Sequence, residues 1–403
     1  MPPRPPLIYD PSDPGFYGRA HAVYDRLREE EPLHWASKVR EWIITRHADV
    51  QMVLRHSGLR PPDIAEAVDS IAQKTRLPLP ALRLLIEETV FLQSAPGHVQ
   101  ARRFMARMLN QRPLPESASV IESIVAGRVK ALHQAGGGDL VADFARAVPV
   151  QFMGGWLGLP ADDVTFLADC AEDVSSVLER RTTPNQCVEI NSRVALAIEH
   201  LSGLCHARRL TPRDDGLGRI VDLARVEPEL DDRKVATRVF FLFIAGLDTT
   251  TTFLGRAMLD LLVNDSERLR WKEGRVESAG AVEELLRHTS PVARVTREAA
   301  EDCELCGQFI ARGQRVSAMI EAANRDPAVF SNPHQLDLGR PACPHLSFSE
   351  GVHACLGASL ARLQAGIALS AFVHFPSLRR EGNMPPSQSD ILKPLKTLPV
   401  SFI

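Results

Sequence analysis

One stretch limits the fold of this chain more than any other: DDRKVATRVFFLFIAGLDTTTTFLGRAMLDLLVN, residues 231–264. It reads as a single long helix, apolar around most of its middle. A helix apolar on all sides belongs in the centre of a large protein. With 403 residues, 44% of them apolar, the chain can build that surround and enclose a sizeable ligand. The run from Val239 to Leu247 is the longest clearly apolar one, far short of the roughly 18 residues a membrane span needs. The N-terminal MPPRPPLIYDPSDPG has no apolar signal-peptide core, so a cytoplasmic protein is expected. A net charge of -3 without a Lys/Arg block gives nucleic-acid binding little support. Seven cysteines, odd in number and scattered, do not look like a disulfide framework.

Most of the remaining sequence also reads as helix. Ala20, Val23 and Leu27 recur at helical spacing before a proline stop. EWIITR suggests a strand, and HADVQMVLRH a helix capped near Asp49. Residues 58–93 are punctuated by proline and read as loop with short helices. Amphipathic helices follow in GHVQARRFMARMLN and ASVIESIVAGRVKALHQAGGG, the second stopped by its glycines. Two helices separated at Pro160, another over 188–208, a short one in GAVEELLRHTS and a last one after CLGAS complete the helical set. CELCGQFIARGQRVSAMI alternates and reads as a small strand hairpin. No linker divides the sequence, so the expectation is a mainly α chain with small β-sheets, forming one domain over 1–403.

Three places carry chemistry. In FSEGVHACLG a lone thiol, Cys355, lies on a glycine-rich bend before a helix whose Leu356, Leu360 and Leu363 share one face. Unpaired N–H groups at a helix start favour a thiolate, and Gly351 and Gly357 let a flat ligand approach. A packed core cysteine, a nucleophile with a histidine base and an axial thiolate to haem iron all fit that window. Glu284 and Arg287 lie on one helical face, as a solvated ion pair would. Asp248 and Thr249 interrupt the apolar helix after Gly246. They read either as a partnered core acid with back-bonded hydroxyls or as a proton path. A Cys-x-x-Cys pair, Cys303 and Cys306, lacks the second pair a closed zinc site requires and is read as chance.

The rest of the chain decides among these readings by resemblance. FSEGVHACLGASLAR is similar to the cysteine-loop signature of the cytochrome P-450 family, matching at Phe348, Gly351, His353, Cys355, Gly357 and Ala361. Ser349 stands where that family usually has glycine. In the family's order there also occur SAPGHVQARRF, AGLDTT, EELLR, VTREAAEDCEL and NRDPAVFSNPHQLDLGR. Ser94 and Gly97 depart from the family's usual residues in the first of these.

The resemblance implies a cytochrome P-450 fold, with haem b between the long central helix and the Cys-ligand loop. It implies Cys355 as the metal ligand, and His98, Arg102, Arg297 and His353 at the haem propionates. Asp248 would relay protons and Thr249 hydrogen-bond to oxygen. Glu284, Arg287 and Arg340 would form a structural triad. Phe241, Ile244, Ala245, Val292 and Ala293 would face a substrate pocket, under a cover from segments 58–93 and 170–190. The implied enzyme is a monomeric haem-thiolate monooxygenase without membrane or nucleic-acid partners. It uses O2 and electrons from NAD(P)H, through a ferredoxin reductase and a ferredoxin, to oxidise a small, largely apolar metabolite, free or bound to a carrier protein. A peroxide-driven haem enzyme and a catalytically silent binding module of the same fold are the alternatives. Retention of Asp248 and Thr249 speaks against the first, and Cys355 against the second.

Overall fold

The computed structural model describes residues 7–13, 15–178, 182–341, 343–375, 378–382, 389 and 391–403. The chain opens with helix α1 (Phe16–Glu30), whose Ala20, Tyr24 and Leu27 are buried as their spacing demands. Strands β1 (Leu33–Ala36) and β2 (Glu41–Ile44) then form an antiparallel pair. Helix α2 (His47–Arg55) starts before Asp49, and that residue does not cap it. The cap is Asp326, whose Oδ2 accepts from the His47 amide at 2.8 Å.

The segment read as loop with short helices does hold helices, and they take up more of it than the prolines suggest. It holds β3 (Leu59–Arg60), α3 (Ile64–Thr75), α4 (Pro80–Glu88) and a 3₁₀ turn (Val90–Leu92). Asp63 caps α3 by accepting from the Glu66 amide. The amphipathic helices follow as α5 (Gly97–Leu109) and α6 (Leu114–Ala135). Gly136, left-handed at φ 71°, ends α6. Strand β4 (Gly137–Asp139) and a π-helical turn (Val141–Arg146) lead into α7 (Ala147–Leu157). Next come α8 (Ala161–Leu178), α9 (Pro184–Leu210) and α10 (Gly216–Ala224).

The long apolar stretch is one unbroken helix, α11 (Asp232–Val263). Val239 through Ile244 are all buried, as an all-round apolar helix requires. After it come α12 (Asp265–Lys272) and α13 (Ser278–Thr289). The expected hairpin over 303–320 is only half realised. Strands β6 (Cys303–Leu305) and β7 (Gln308–Ile310) pair with each other, following β5 (Val295–Ala299). The next strand, β8 (Arg315–Ala318), leaves them and lies between β2 and β5. A short helix α14 (Ile320–Ala323), the last long helix α15 (Ala358–Val373) and strands β9 (Leu378–Arg380) and β10 (Pro399–Phe402) complete the chain.

Contacts within the chain define two compact units, residues 1–62, 252–355 and 372–403, and residues 63–251 and 356–371. The first is organised by the sheet β1-β2-β8-β5-β3. One apolar cluster on it includes Ile44, Val53, Leu54, Val316 and Leu346, and another joins α1 to Ile43 and Met319. The second unit is built mainly from helices, α4 and α8 both packing on α9 and α6 on α7. No helix among the described residues is long and apolar enough to cross a membrane.

Candidate active site

The cysteine loop is built by three tight backbone features. Ser349 is left-handed at φ 56°, and its amide donates to Leu346 O at 2.8 Å. The turn that glycine favours is therefore kept with serine in its place. Gly351, at φ 71°, starts a 3₁₀ turn through His353, and a Cβ there would stand 2.7 Å from the Leu54 carbonyl oxygen. Only glycine satisfies both conditions. The Cys355 amide then donates to Phe348 O at 2.9 Å, closing the loop. Cys355 itself is exposed, whereas Cys170, Cys187 and Cys205 are buried. The packed-core reading of this thiol is thereby set aside. Beyond Gly357, where an added Cβ would meet nothing within 4 Å, α15 begins at Ala358. Its Gln364, Ala365, Ala368 and Leu369 are buried, and Leu360 and Leu363 are half-buried.

Ahead of the loop, Glu284, Arg287 and Arg340 come together. The Arg287 Nε and Nη2 donate to the two Glu284 oxygens at 2.7 and 2.8 Å, and Arg340 Nε donates to Oε2 at 2.9 Å. The Asp337 amide adds a bond to Oε1 at 3.0 Å. Arg287 Nη1 donates to the carbonyls of Asn324 and Pro333, both at 2.8 Å. This is a buried cluster with its acceptors filled, not a solvated pair. Burial pushes the Glu284 carboxyl up, but the two guanidiniums outweigh it and hold the group below the ordinary carboxylate range.

Arg297, on β5, is 4% exposed, and no carboxylate among the described residues pairs with it. Its Nη1 donates to the Thr296 carbonyl at 3.1 Å. Burial alone pushes it down to about 10, so it remains a cation at neutral pH. Arg294 is different. It bonds Glu41 Oε2 at 3.1 Å, Thr296 Oγ1 at 2.7 Å and Ser317 Oγ at 2.8 Å, and so ties β5 to β2 and β8.

In the second unit, His98 and Arg102 lie one turn apart on α5. His98 is buried, and burial followed by the Arg102 charge lowers its pKa. Gly97 starts that helix with nothing within 4 Å of a Cβ, so no steric demand explains its glycine, while Ser94 O accepts from the His98 amide at 3.0 Å. At the middle of α11 the burial pattern breaks. Ala245, Gly246, Asp248, Thr249 and Thr251 are half-buried among buried neighbours. Thr249 Oγ1 donates back to Ala245 O at 2.8 Å. Asp248 Oδ2 accepts from Ser175 Oγ of α8.

Of the expected pocket residues, Phe241 and Ile244 are 5% and 6% exposed, and Val292 is half-buried. Ala293 has no exposed surface, and its amide donates to Ile391 O at 2.7 Å. Sequence reasoning missed Phe91, whose ring lies 5.7 Å from that of Phe241. It also missed Asn191 on α9, whose Oδ1 accepts from the Ala81 and Leu82 amides at 3.0 and 3.1 Å and so caps α4. Nothing in the local pattern marks either residue. Cys303 begins β6, and Cys306 lies in the turn of the β6–β7 hairpin at φ 50°. No group of metal-ligating side chains occurs among the described residues.

An exposed thiol on a glycine-walled loop, with a buried guanidinium upstream that no described carboxylate neutralises, suits an anionic cofactor held by a thiolate. Comparison with known proteins narrows that class. The model of the family described as Cytochrome P450 matches residues 279–401. The polyketide biosynthesis cytochrome P450 PksS of Bacillus subtilis (strain 168) is 28% identical, over 98% of this chain and 99% of its own. Nocardicin C N-oxygenase of Nocardia uniformis subsp. tsuyamanensis is 32% identical, over 95% of both. The crystal structure of P450BioI in complex with a hexadec-9Z-enoic acid ligated acyl carrier protein superposes with a TM-score of 0.87 at 26% identity, covering 97% of this chain and 100% of that one. The chain belongs to the cytochrome P450 family. Its cofactors are those of that family, haem b with O2 and electrons derived from NAD(P)H, and its class is that of the P450 oxidoreductases.

Proposed function

We propose that residues 1–403 act as one P450 monooxygenase domain that inserts an oxygen atom of O2 into a small, largely apolar metabolite. Electrons come from a ferredoxin and its reductase, and the enzyme works as a monomer in the cytoplasm. The observation that carries this reading is Cys355: the thiol is exposed on a loop whose Gly351 tolerates no side chain. The loop ends three residues before α15, where the orphan N–H groups of a helix start favour a thiolate.

Haem, when bound, supplies the oxygen activation and electron acceptance that no side chain offers. Cys355 Sγ is its ligand in this reading, with Phe348, Gly351 and Gly357 shaping the loop. Arg297, His353, His98 and Arg102 take its propionates. The chemistry of Arg297 supports that assignment, since a buried guanidinium without a carboxylate calls for an anion. Glu284, Arg287 and Arg340 hold the approach to the loop and touch no reactant.

Asp248 holds and passes a proton at its carboxyl oxygens, and Thr249 offers its hydroxyl oxygen as an acceptor while its O–H donates to Ala245 O. In this reading Phe241, Ile244, Ala245, Val292 and Ala293 are the residues assigned to the substrate pocket, and Phe91 is added to them by its ring contact with Phe241.

The test supplies the purified enzyme with ferredoxin, reductase and NADH in one arm and hydrogen peroxide in the other. Substrates come from a metabolite library that has first been screened for a shift in the haem spectrum. Product in the first arm supports the monooxygenase; product in the peroxide arm alone overturns it. A carrier-bound substrate is a second form of the same reading, favoured by the acyl carrier protein in the P450BioI structure and by the biosynthetic role in the PksS name. It predicts that an acyl group is oxidised on a carrier protein and not as the free acid.

A further inference from the structure

Serine and threonine inside α8 show two behaviours. Thr165 and Ser176 donate back to the carbonyls four residues earlier, Ala161 and Glu172, both at 3.2 Å. This is the usual outlet for a hydroxyl in a helix interior. Ser175 does not use it. It is 9% exposed, on the face of α8 that buries Leu167, Ala168, Ala171 and Val174. Its hydroxyl donates across to Asp248 Oδ2, 73 residues away in sequence. A hydroxyl on a carboxylate makes a charge-assisted bond, stronger than a bond to a neutral carbonyl.

We infer that Ser175 is a positioning residue for Asp248, holding the acid's carboxylate against α8 so that its orientation follows the helices above the substrate pocket in the proposed reading. This inference rests on the proposed function for its catalytic meaning and on the hydrogen bond alone for its structural one. The helices concerned are joined by named bonds. Asp173 of α8 pairs with Arg193 of α9. Asn191 of α9 caps α4 through two amides. Asp248 is therefore linked through Ser175 to α8, through α8 to α9, and through α9 to α4. Thr249, by contrast, is fixed by its own helix through the bond to Ala245 O. Of the acid–alcohol pair, the acid is tied through this bond to a second helix, whereas the bond of the alcohol stays within α11.

The experiment uses the ferric holoenzyme and four proteins: wild type, Ser175→Ala, Asp248→Ala and the double variant. Hydrogen exchange of the amides in residues 170–178 is the first readout and does not depend on turnover. Each single variant is expected to exchange about tenfold faster, with the double variant no faster than either, because one bond is lost in all three. The second readout is product formed per NADH consumed, with its solvent isotope effect. Ser175→Ala lowers the first and alters the second, and Ser175→Thr, which keeps the hydroxyl, restores both. Additive or unchanged exchange overturns the bond. Coupled exchange with unaltered product yield and isotope effect in Ser175→Ala overturns the positioning role. If the wild-type protein shows no haem absorbance, the proposed function falls and the catalytic role with it, while the exchange data still decide the Ser175–Asp248 hydrogen bond.

Discussion

Two carboxylates in this molecule, Glu284 and Asp248, are held in opposite ways. Among the described residues, Glu284 receives hydrogen bonds from three guanidinium nitrogens, from the Asp337 amide and, at 3.8 Å, from the Cys343 thiol, and it is fully enclosed. Asp248 lies half-buried in the middle of an apolar helix and is reached by the hydroxyl of another helix. The first arrangement is over-determined. Removing any partner leaves a charge in a low-dielectric interior, so the group can do nothing but hold the fold. The second is exchangeable, because a hydroxyl can give way to water or to a reactant at modest cost. In the proposed reading a scaffold acid and a working acid are thus distinguished by what holds them, fixed guanidiniums in one case and the hydroxyl of a neighbouring helix in the other.

The largest effect expected from this contrast is at the scaffold. Glu284→Ala strands Arg287 at zero exposure and should cost about 3–5 kcal/mol of stability in denaturant unfolding. A loss below about 1 kcal/mol would erase the distinction. A second scaffold acid sharpens it. Glu321 on α14 is paired with Lys393, and although burial pushes its carboxyl up, the lysine charge holds it down at about 2. Its folded value lies below its unfolded one. The stabilisation is therefore present in full above about pH 4.5 and is lost as pH falls from there toward 2. Acid unfolding of Glu321→Gln, followed by circular dichroism, should lack that part of the acid limb.

At the working acid the expectation reverses. Asp248→Asn should lower product formation about 100-fold while leaving the unfolding midpoint nearly unchanged. A large fall in stability with preserved turnover would make Asp248 another scaffold residue. The smallest effect belongs to the cysteine loop. Ser349 holds a left-handed conformation with its hydroxyl oxygen buried and without a hydrogen-bond partner among the described residues. Ser349→Gly should raise stability by about 1 kcal/mol in thermal unfolding, and a loss would show that the serine contributes something its geometry does not reveal.

Legibility from sequence follows the same divide between local and distant partners. The central helix was readable almost to the residue, expected within 231–264 and found over Asp232–Val263, because an apolar surface on every side is a local signal. Pairing of Glu284 with Arg287 follows from a three-residue spacing, but their burial with Arg340 does not, since Arg340 lies 53 residues beyond Arg287. Helix starts show the limit well. The cap of α3 by Asp63 lies in the sequence beside the helix it starts. Those of α2 and α4 come from Asp326 and Asn191, far away along the chain, and no local pattern announces them. Strand β3 is two residues long and exists by pairing with β5, so residues 58–60 read as loop. For the same reason the hairpin expected over 303–320 ends at β7 while β8 joins another sheet: alternation sets a strand's faces, not its neighbour. Ser175 is the extreme case, a small residue in an ordinary helix whose only distinction is what it touches.

The whole account turns on whether the exposed thiol of the glycine-walled loop ligates haem iron. The direct measurement is the Soret spectrum of the reduced, carbon monoxide-treated protein, compared between wild type and Cys355→Ala. The account predicts a red-shifted thiolate band in the wild type and its loss in the variant. A variant that keeps the wild-type band would contradict it.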